Sequence, residues 1–178
     1  LGVGMALRGM RPVVDLMFGD FITLGFDQIL NHAAKYHWMY AGKVRVPLLI
    51  RAPMGGGRGY GATHSQTLEK YFTGIPGLRV AAVSPLHDPE KLLERLHDTL
   101  DRPTLLVENK ALYGKNLLEV GEGRWDGFFV EETGSALPVI RLSYDPQGTP
   151  DLVVVTYGAM AETALGAAAR LMVEEEIM

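Results

Sequence analysis

Short apolar runs rich in β-branched residues alternate along this chain with stretches whose apolar positions recur every three or four residues. That is the pattern of βα units stacked on a parallel sheet. Leu1 to Arg8 reads as a small-residue helix and Pro12-Val-Val-Asp-Leu-Met-Phe18 as the first strand. Between Phe26 and Tyr36, apolar residues at Phe26, Ile29, Leu30, Ala33 and Ala34 predict a core-facing helix. Val46-Pro-Leu-Leu-Ile50 predicts a second strand, Ser65 to Tyr71 a helix, Leu78 to Val83 a strand, and Thr104-Leu-Leu-Val107 another. The helix from Asp88 to Leu100 is the best signalled: Asp88 can cap free N–H groups, Pro89 suits the first helical position, and Leu92, Leu93, Leu96 and Leu100 form its inner stripe. His97 then falls on the flank of a structural helix.

From Leu112 to about Pro150 the pattern breaks into mixed glycine, proline and charge, with short apolar pieces such as Phe128-Phe129-Val130. Leu152-Val-Val-Val-Thr-Tyr157 restarts a strand-like run, and an alanine-rich helix is expected from Ala161 to Glu175. The expected organisation is an α/β domain over residues 1–130, a linker over 131–150 and the start of a second unit over 151–178. Leu1 falls inside one helix-like segment and the chain stops at Glu174-Glu175-Glu176-Ile177-Met178 in the middle of another, so it reads as a piece of a longer polypeptide.

Composition narrows the function classes. The chain has 178 residues, a formal net charge of −4 and no cysteine. Its scattered basic residues lack the footprint of a nucleic-acid binder. No apolar run approaches a membrane span, and no cysteine is present for disulfides or thiolate metal sites. Tyr36-His37-Trp38-Met39-Tyr40 has no accompanying stripe of Lys and Arg, which favours packing against a partner subunit over base stacking.

The densest chemical signal is Ala52-Pro-Met-Gly-Gly-Gly-Arg-Gly-Tyr-Gly-Ala-Thr-His64-Ser65-Gln66. Glycine lets a backbone bend around a ligand at an entropic cost that an ordinary loop has no reason to carry five times. No lysine follows in P-loop spacing, and the match to a dinucleotide fingerprint is poor, so phosphate binding by this loop is not indicated. His64 stands where a general acid or base would be delivered.

Phe18-Gly-Asp-Phe-Ile-Thr-Leu-Gly-Phe-Asp-Gln28, Ala33-Ala34-Lys35, Arg51-Ala-Pro53, His64-Ser-Gln66, Pro76-Gly-Leu78, Ser84-Pro85 and Val107-Glu-Asn109 occur in a specific order and spacing. Together they resemble the β subunit of a thiamine-diphosphate-dependent 2-oxo acid dehydrogenase E1 component, of the branched-chain, pyruvate and acetoin type. The resemblance implies a transketolase-like pyrimidine-binding domain followed by the start of a transketolase C-terminal domain. It also implies an α subunit in an α2β2 heterotetramer that supplies the magnesium and diphosphate contacts, and the lipoyl domain of an E2 acyltransferase as acyl acceptor. The compartment would be the bacterial cytoplasm, or the mitochondrial matrix in a eukaryote.

By the same resemblance, His64 is similar to the histidine that serves acyl transfer to lipoyl groups, a role suited to imidazole with its unperturbed pKa of about 6.5. Phe21 corresponds to the aromatic position lining the aminopyrimidine pocket, with Phe18 and Asp20 beside it and Asp20 orienting loop amides. The family's essential glutamate falls upstream of Leu1, so this piece alone is expected to be inactive. Some relatives hold a structural potassium ion on strand carbonyls near Leu48 and Leu49 and on a loop carboxylate similar to Asp101. Here the loop from Asp98 to Pro103 is one residue shorter, and Leu49 replaces a hydroxyl ligand. Glu108 is expected to orient loop backbone near the cofactor or a subunit contact. Acetoin cleavage and a non-catalytic assembly role remain the alternatives to 2-oxo acid decarboxylation.

Overall fold

The computed structural model describes residues 1–118, 123–134 and 137–177. Its larger layer is a parallel sheet of four strands, β1 (Val13–Asp15), β2 (Leu49–Met54), β3 (Arg79–Ala82) and β4 (Thr104–Asn109), in the order β1-β2-β4-β3. Helices flank it: α1 (Gly2–Leu7), α2 (Tyr36–Met39) and α3 (Pro89–Asp98). The α/β class expected from the patterning is therefore present.

Two clusters fill the faces of this sheet. On one face Ile22, Ile29, Ala33, Leu68 and Phe72 pack on Ile50, Ala52, Leu105 and Val107. On the other, Leu92, Leu96 and Leu100 cover Leu49 and Leu106. The alternation along β2 and β4 assigns successive residues to opposite faces, and because both faces are covered the strands read as nearly continuous apolar runs. Helix α3 begins as its sequence indicates, with the Asp88 carboxylate accepting from the backbone N–H of Glu90 and Lys91 at 3.1 and 3.3 Å.

Several elements depart from the sequence expectations. The second strand lies at Leu49–Met54 rather than 46–50 and contains Pro53. Proline is tolerated there because β1 pairs with β2 only as far as Arg51, leaving Pro53 without a neighbour on that side. The expected helix over 26–36 is interrupted by a wide turn at Gln28–Ala33, in which Ala34 N–H bonds Ile29 C=O at 3.0 Å. That i to i+5 bond brings Ile29 and Ala34 to one side, and both are buried. Instead of a helix over 65–71, the chain forms two three-residue 3₁₀ turns, Ala62–His64 and Glu69–Tyr71.

Part of the stretch expected as a linker is built into strands. Strands β5 (Arg124–Trp125), β6 (Phe128–Thr133) and β7 (Val139–Ser143) form an antiparallel sheet that includes residues of the 131–150 segment. Phe128 anchors it, buried against Trp125 and Tyr144 at ring separations of 6.0 and 3.9 Å. Short apolar pieces too brief to signal strands individually become strands by pairing with one another. The converse holds at 152–157, where a β-branched run pairs with no strand among the described residues and Val155 is 93 % exposed. Helix α4 (Met160–Glu175) follows, close to its expected span.

Candidate active site

All strands of the larger sheet point the same way, so the segments leaving β1, β2 and β4 meet at one end, the end where open α/β sheets bind ligands. After β1 the chain passes Phe18 and turns through a 3₁₀ segment, Gly19–Gly25. Gly19 is required for the close approach, since a Cβ there would lie 2.5 Å from Met54 Cγ. After β2, Gly55 has φ +90° and leaves no room for a Cβ beside the Asn109 amide, while its N–H bonds Gln66 C=O at 2.9 Å. The glycine loop then returns to deliver His64.

The imidazole of His64 meets the rings of Phe18 and Phe21 edge-on, with centroids 5.2 Å away in both cases. Tyr60 extends the aromatic wall, 5.5 Å from Phe18. Phe21 and Tyr60 are 43 % and 46 % exposed, so the wall opens outward. The Thr63 hydroxyl lies 3.0 Å from His64 Nδ1.

Beneath the wall is a buried ion pair. Asp20 Oδ1 accepts from Gln66 N–H at 3.0 Å and from Gln66 Nε2 at 3.1 Å. Lys110 Nζ stands 3.7 Å from Asp20 Oδ2, 4.9 Å from the Phe18 ring centroid, and donates to His64 C=O at 2.6 Å. Burial alone would push the Asp20 carboxyl up, but the Gln66 bonds and the Lys110 charge outweigh it and hold the group below the ordinary aspartate range. Asp20 thus bonds one loop amide, that of Gln66. Lys110 was not anticipated: a single lysine after a strand carries no periodic or motif signal, and only the sheet brings it under His64.

Glu108 does something different from what its sequence position suggested. Among the described residues its hydrogen bonds run to side chains rather than to loop backbone. Its carboxylate takes a two-pronged contact from Arg51, Nε to Oε1 at 2.6 Å and NH2 to Oε2 at 3.0 Å, and a hydroxyl bond from Tyr113 at 2.5 Å. Burial and the Glu108 carboxylate push the Tyr113 hydroxyl well above its ordinary pKa. This cluster borders a separate cleft of about 330 Å³ that also includes Ser84 and His87.

The residues considered for potassium are not arranged as an open oxygen site. Asp101 is held between Arg79 at 3.1 Å and Arg102 at 3.0 and 3.2 Å. The carbonyl of Leu48 accepts from Thr104 N–H at 2.8 Å, and Leu49 is buried in the ladder beside Thr104. A carboxylate already paired with two guanidinium groups is poorly disposed to hold a monovalent cation. Among the described residues, no group of three or more His, Asp or Glu is placed to hold a metal ion.

Taken together, these elements form an all-parallel α/β sheet whose carboxyl end carries an outward-facing aromatic wall and a histidine. The match to the transketolase pyrimidine-binding domain family covers residues 1–115, and the chain belongs to that family. It is 41 % identical over 173 residues to the acetoin:2,6-dichlorophenolindophenol oxidoreductase subunit beta of Cupriavidus necator, covering 97 % of this chain and 47 % of that protein. It is 35 % identical to the mitochondrial pyruvate dehydrogenase E1 component subunit beta-1 of Arabidopsis thaliana, covering 98 % and 46 %. A solved structure described as a split gene transketolase, inactive beta4 tetramer, superposes with a TM-score of 0.62 at 19 % identity over 99 % of this chain and 50 % of that one, a likeness of fold. The chain thus spans about half the length of the relatives it matches.

Proposed function

We propose that this chain belongs to an E1 β subunit that, paired with an α subunit in an α2β2 assembly, takes part in thiamine-diphosphate-dependent decarboxylation of a 2-oxo acid, pyruvate or a branched-chain acid, and in acyl transfer to the lipoyl domain of an E2 acyltransferase. The observation that carries the reading is the His64 imidazole held edge-on against Phe18 and Phe21 at the carboxyl end of the sheet. The aromatic wall suits a flat heteroaromatic ring, so Phe18, Phe21 and Tyr60 would bind the pyrimidine while Asp20 shapes the loop behind them. The cofactor, when bound, supplies the electron sink for loss of CO2. His64 exchanges a proton with the acyl acceptor. Mg2+ and the diphosphate fall to the α subunit, in keeping with a glycine loop that has no phosphate-binding lysine. The compartment would be the cytoplasm of a bacterium or the matrix of a mitochondrion.

Acetoin cleavage is the second reading, favoured by the 41 % identity to the Cupriavidus necator protein. The test uses the full-length, α-paired enzyme. His64→Ala should lose acyl transfer to a lipoyl domain far more than substrate oxidation by an artificial acceptor; equal loss in both assays would refute the assignment. Comparing pyruvate, branched-chain 2-oxo acids and acetoin with the artificial acceptor separates the substrates, and turnover of none of them would favour a non-catalytic assembly role.

A further inference from the structure

His64 sits in a three-residue turn at the end of a glycine loop, a setting that by itself leaves its orientation loose. The surrounding contacts tighten it from below. Lys110 grips the His64 carbonyl, and Asp20 grips the Gln66 amide two residues on. Arg58, from the same glycine loop, donates to the Lys110 carbonyl at 3.0 Å, so loop and strand end are tied in both directions. Lys110 is fixed in turn by the short turn it begins, capped by Asn109 Oδ1 accepting from Ala111 N–H at 2.9 Å.

The lysine is an expensive choice at this place. Its side chain is 3 % exposed, and a buried ammonium loses its hydration. An apolar side chain would fill the same space without that cost. What only the ammonium supplies is a donor to the His64 carbonyl, a counter-charge for Asp20, and a cation over the face of Phe18, the ring that also packs against His64. Two of these contacts fall on His64 and on its aromatic neighbour, and the third reaches the Gln66 amide through Asp20.

We infer that Lys110, with Asp20 as its counter-ion, is a positioning residue that sets the main chain of His64 and so keeps the imidazole aligned for acyl transfer. The inference rests on the reading of His64 given above. It is tested in the full-length, α-paired enzyme with Asp20→Asn/Lys110→Met, which removes both charges and leaves neither buried alone. Lipoyl acylation should fall about tenfold or more relative to artificial-acceptor oxidation, since small misplacements of a reacting group are costly. Amide hydrogen exchange across residues 61–67 should accelerate by a similar factor, with the peptides of β2 and β4 unchanged. Asp20→Asn/Lys110→Gln, which keeps a neutral N–H donor, should recover part of both. Unchanged exchange in residues 61–67 overturns the inference whatever the activities are. So does a double variant with no selective loss of lipoyl transfer when His64→Ala has one. Should His64→Ala itself show no selectivity, the acyl-transfer reading fails, and the exchange data alone report whether Lys110 holds the loop.

Discussion

Two ion pairs sit at the same end of the same sheet and are built on opposite plans. Arg51 and Glu108 face each other across β2 and β4 with matched, two-pronged geometry, and the Arg51 side chain remains 34 % exposed. Lys110 and Asp20 are 3 % and 2 % exposed, stand 3.7 Å apart, and direct their hydrogen bonds to the backbone of residues 64–66. The first pair spends its bonding capacity on itself, on Tyr113 and, through Arg51 NH1 at 3.2 Å, on Asp15 of β1, and braces the strand ends. The second leaves its mutual contact long and spends its bonds on the loop that carries His64. Closeness of an ion pair is thus a poor guide to its bearing on the site.

Breaking one partner at a time should sharpen the contrast. Lys110→Met leaves the Asp20 charge buried without a counter-ion, so a loss of about 3–5 kcal/mol of stability is expected in the full-length protein. Glu108→Gln should cost less, about 1.5–3 kcal/mol, because it weakens charge-assisted hydrogen bonds while Arg51 keeps Asp15 as a counter-charge at 3.2 Å. Urea denaturation of the two variants measures both. A larger loss from Glu108→Gln than from Lys110→Met would reverse the ranking and make the Arg51 pair the more deeply committed one.

This contrast was only half legible in the sequence. Alternating apolar runs gave the parallel sheet, and the cap and leucine stripe gave α3 almost to the residue, because those signals are local. Asp20, Phe21 and His64 stand out through the motifs that contain them. Lys110 does not: its significance comes from the register Met54↔Asn109, which places the end of β4 beside the start of the glycine loop. Strands β6 and β7 reach into the 131–150 stretch expected as a linker for a similar reason, since each piece becomes a strand only through its neighbour. The run 152–157 failed in the other direction, with strand composition and no ladder among the described residues.

The two clusters should also separate on the pH axis. The Asp20 carboxyl is held below its unfolded value, so its stabilising contribution is complete above the unfolded pKa of about 3.9 and is lost as pH falls through the lower folded value. The Tyr113 hydroxyl is raised by burial and by the Glu108 carboxylate, so its contribution is complete below the unfolded pKa of about 10 and is lost as pH climbs through the higher folded value. Asp20→Asn/Lys110→Met, which leaves neither charge buried alone, should therefore flatten the acid limb of a stability–pH profile and leave the alkaline limb alone, and Tyr113→Phe should do the reverse. A variant that alters both limbs equally would mean that the clusters are coupled through the sheet.

The smallest structural effect is expected at the outer face of the wall. Phe21 is 43 % exposed and contacts His64 with one ring edge, so Phe21→Ala should change stability by only about 0.5–1 kcal/mol. Its effect on ligand affinity should be larger: losing an aromatic contact worth about 1 kcal/mol, together with the apolar area buried under a bound ring, corresponds to roughly tenfold weaker binding of thiamine diphosphate. Calorimetric titration of the α-paired, full-length variant reads this directly. Unchanged affinity would place the pyrimidine elsewhere and leave the wall as support for His64; weaker binding with intact folding would assign the outer surface to the cofactor and the buried Lys110–Asp20 pair to the loop behind it.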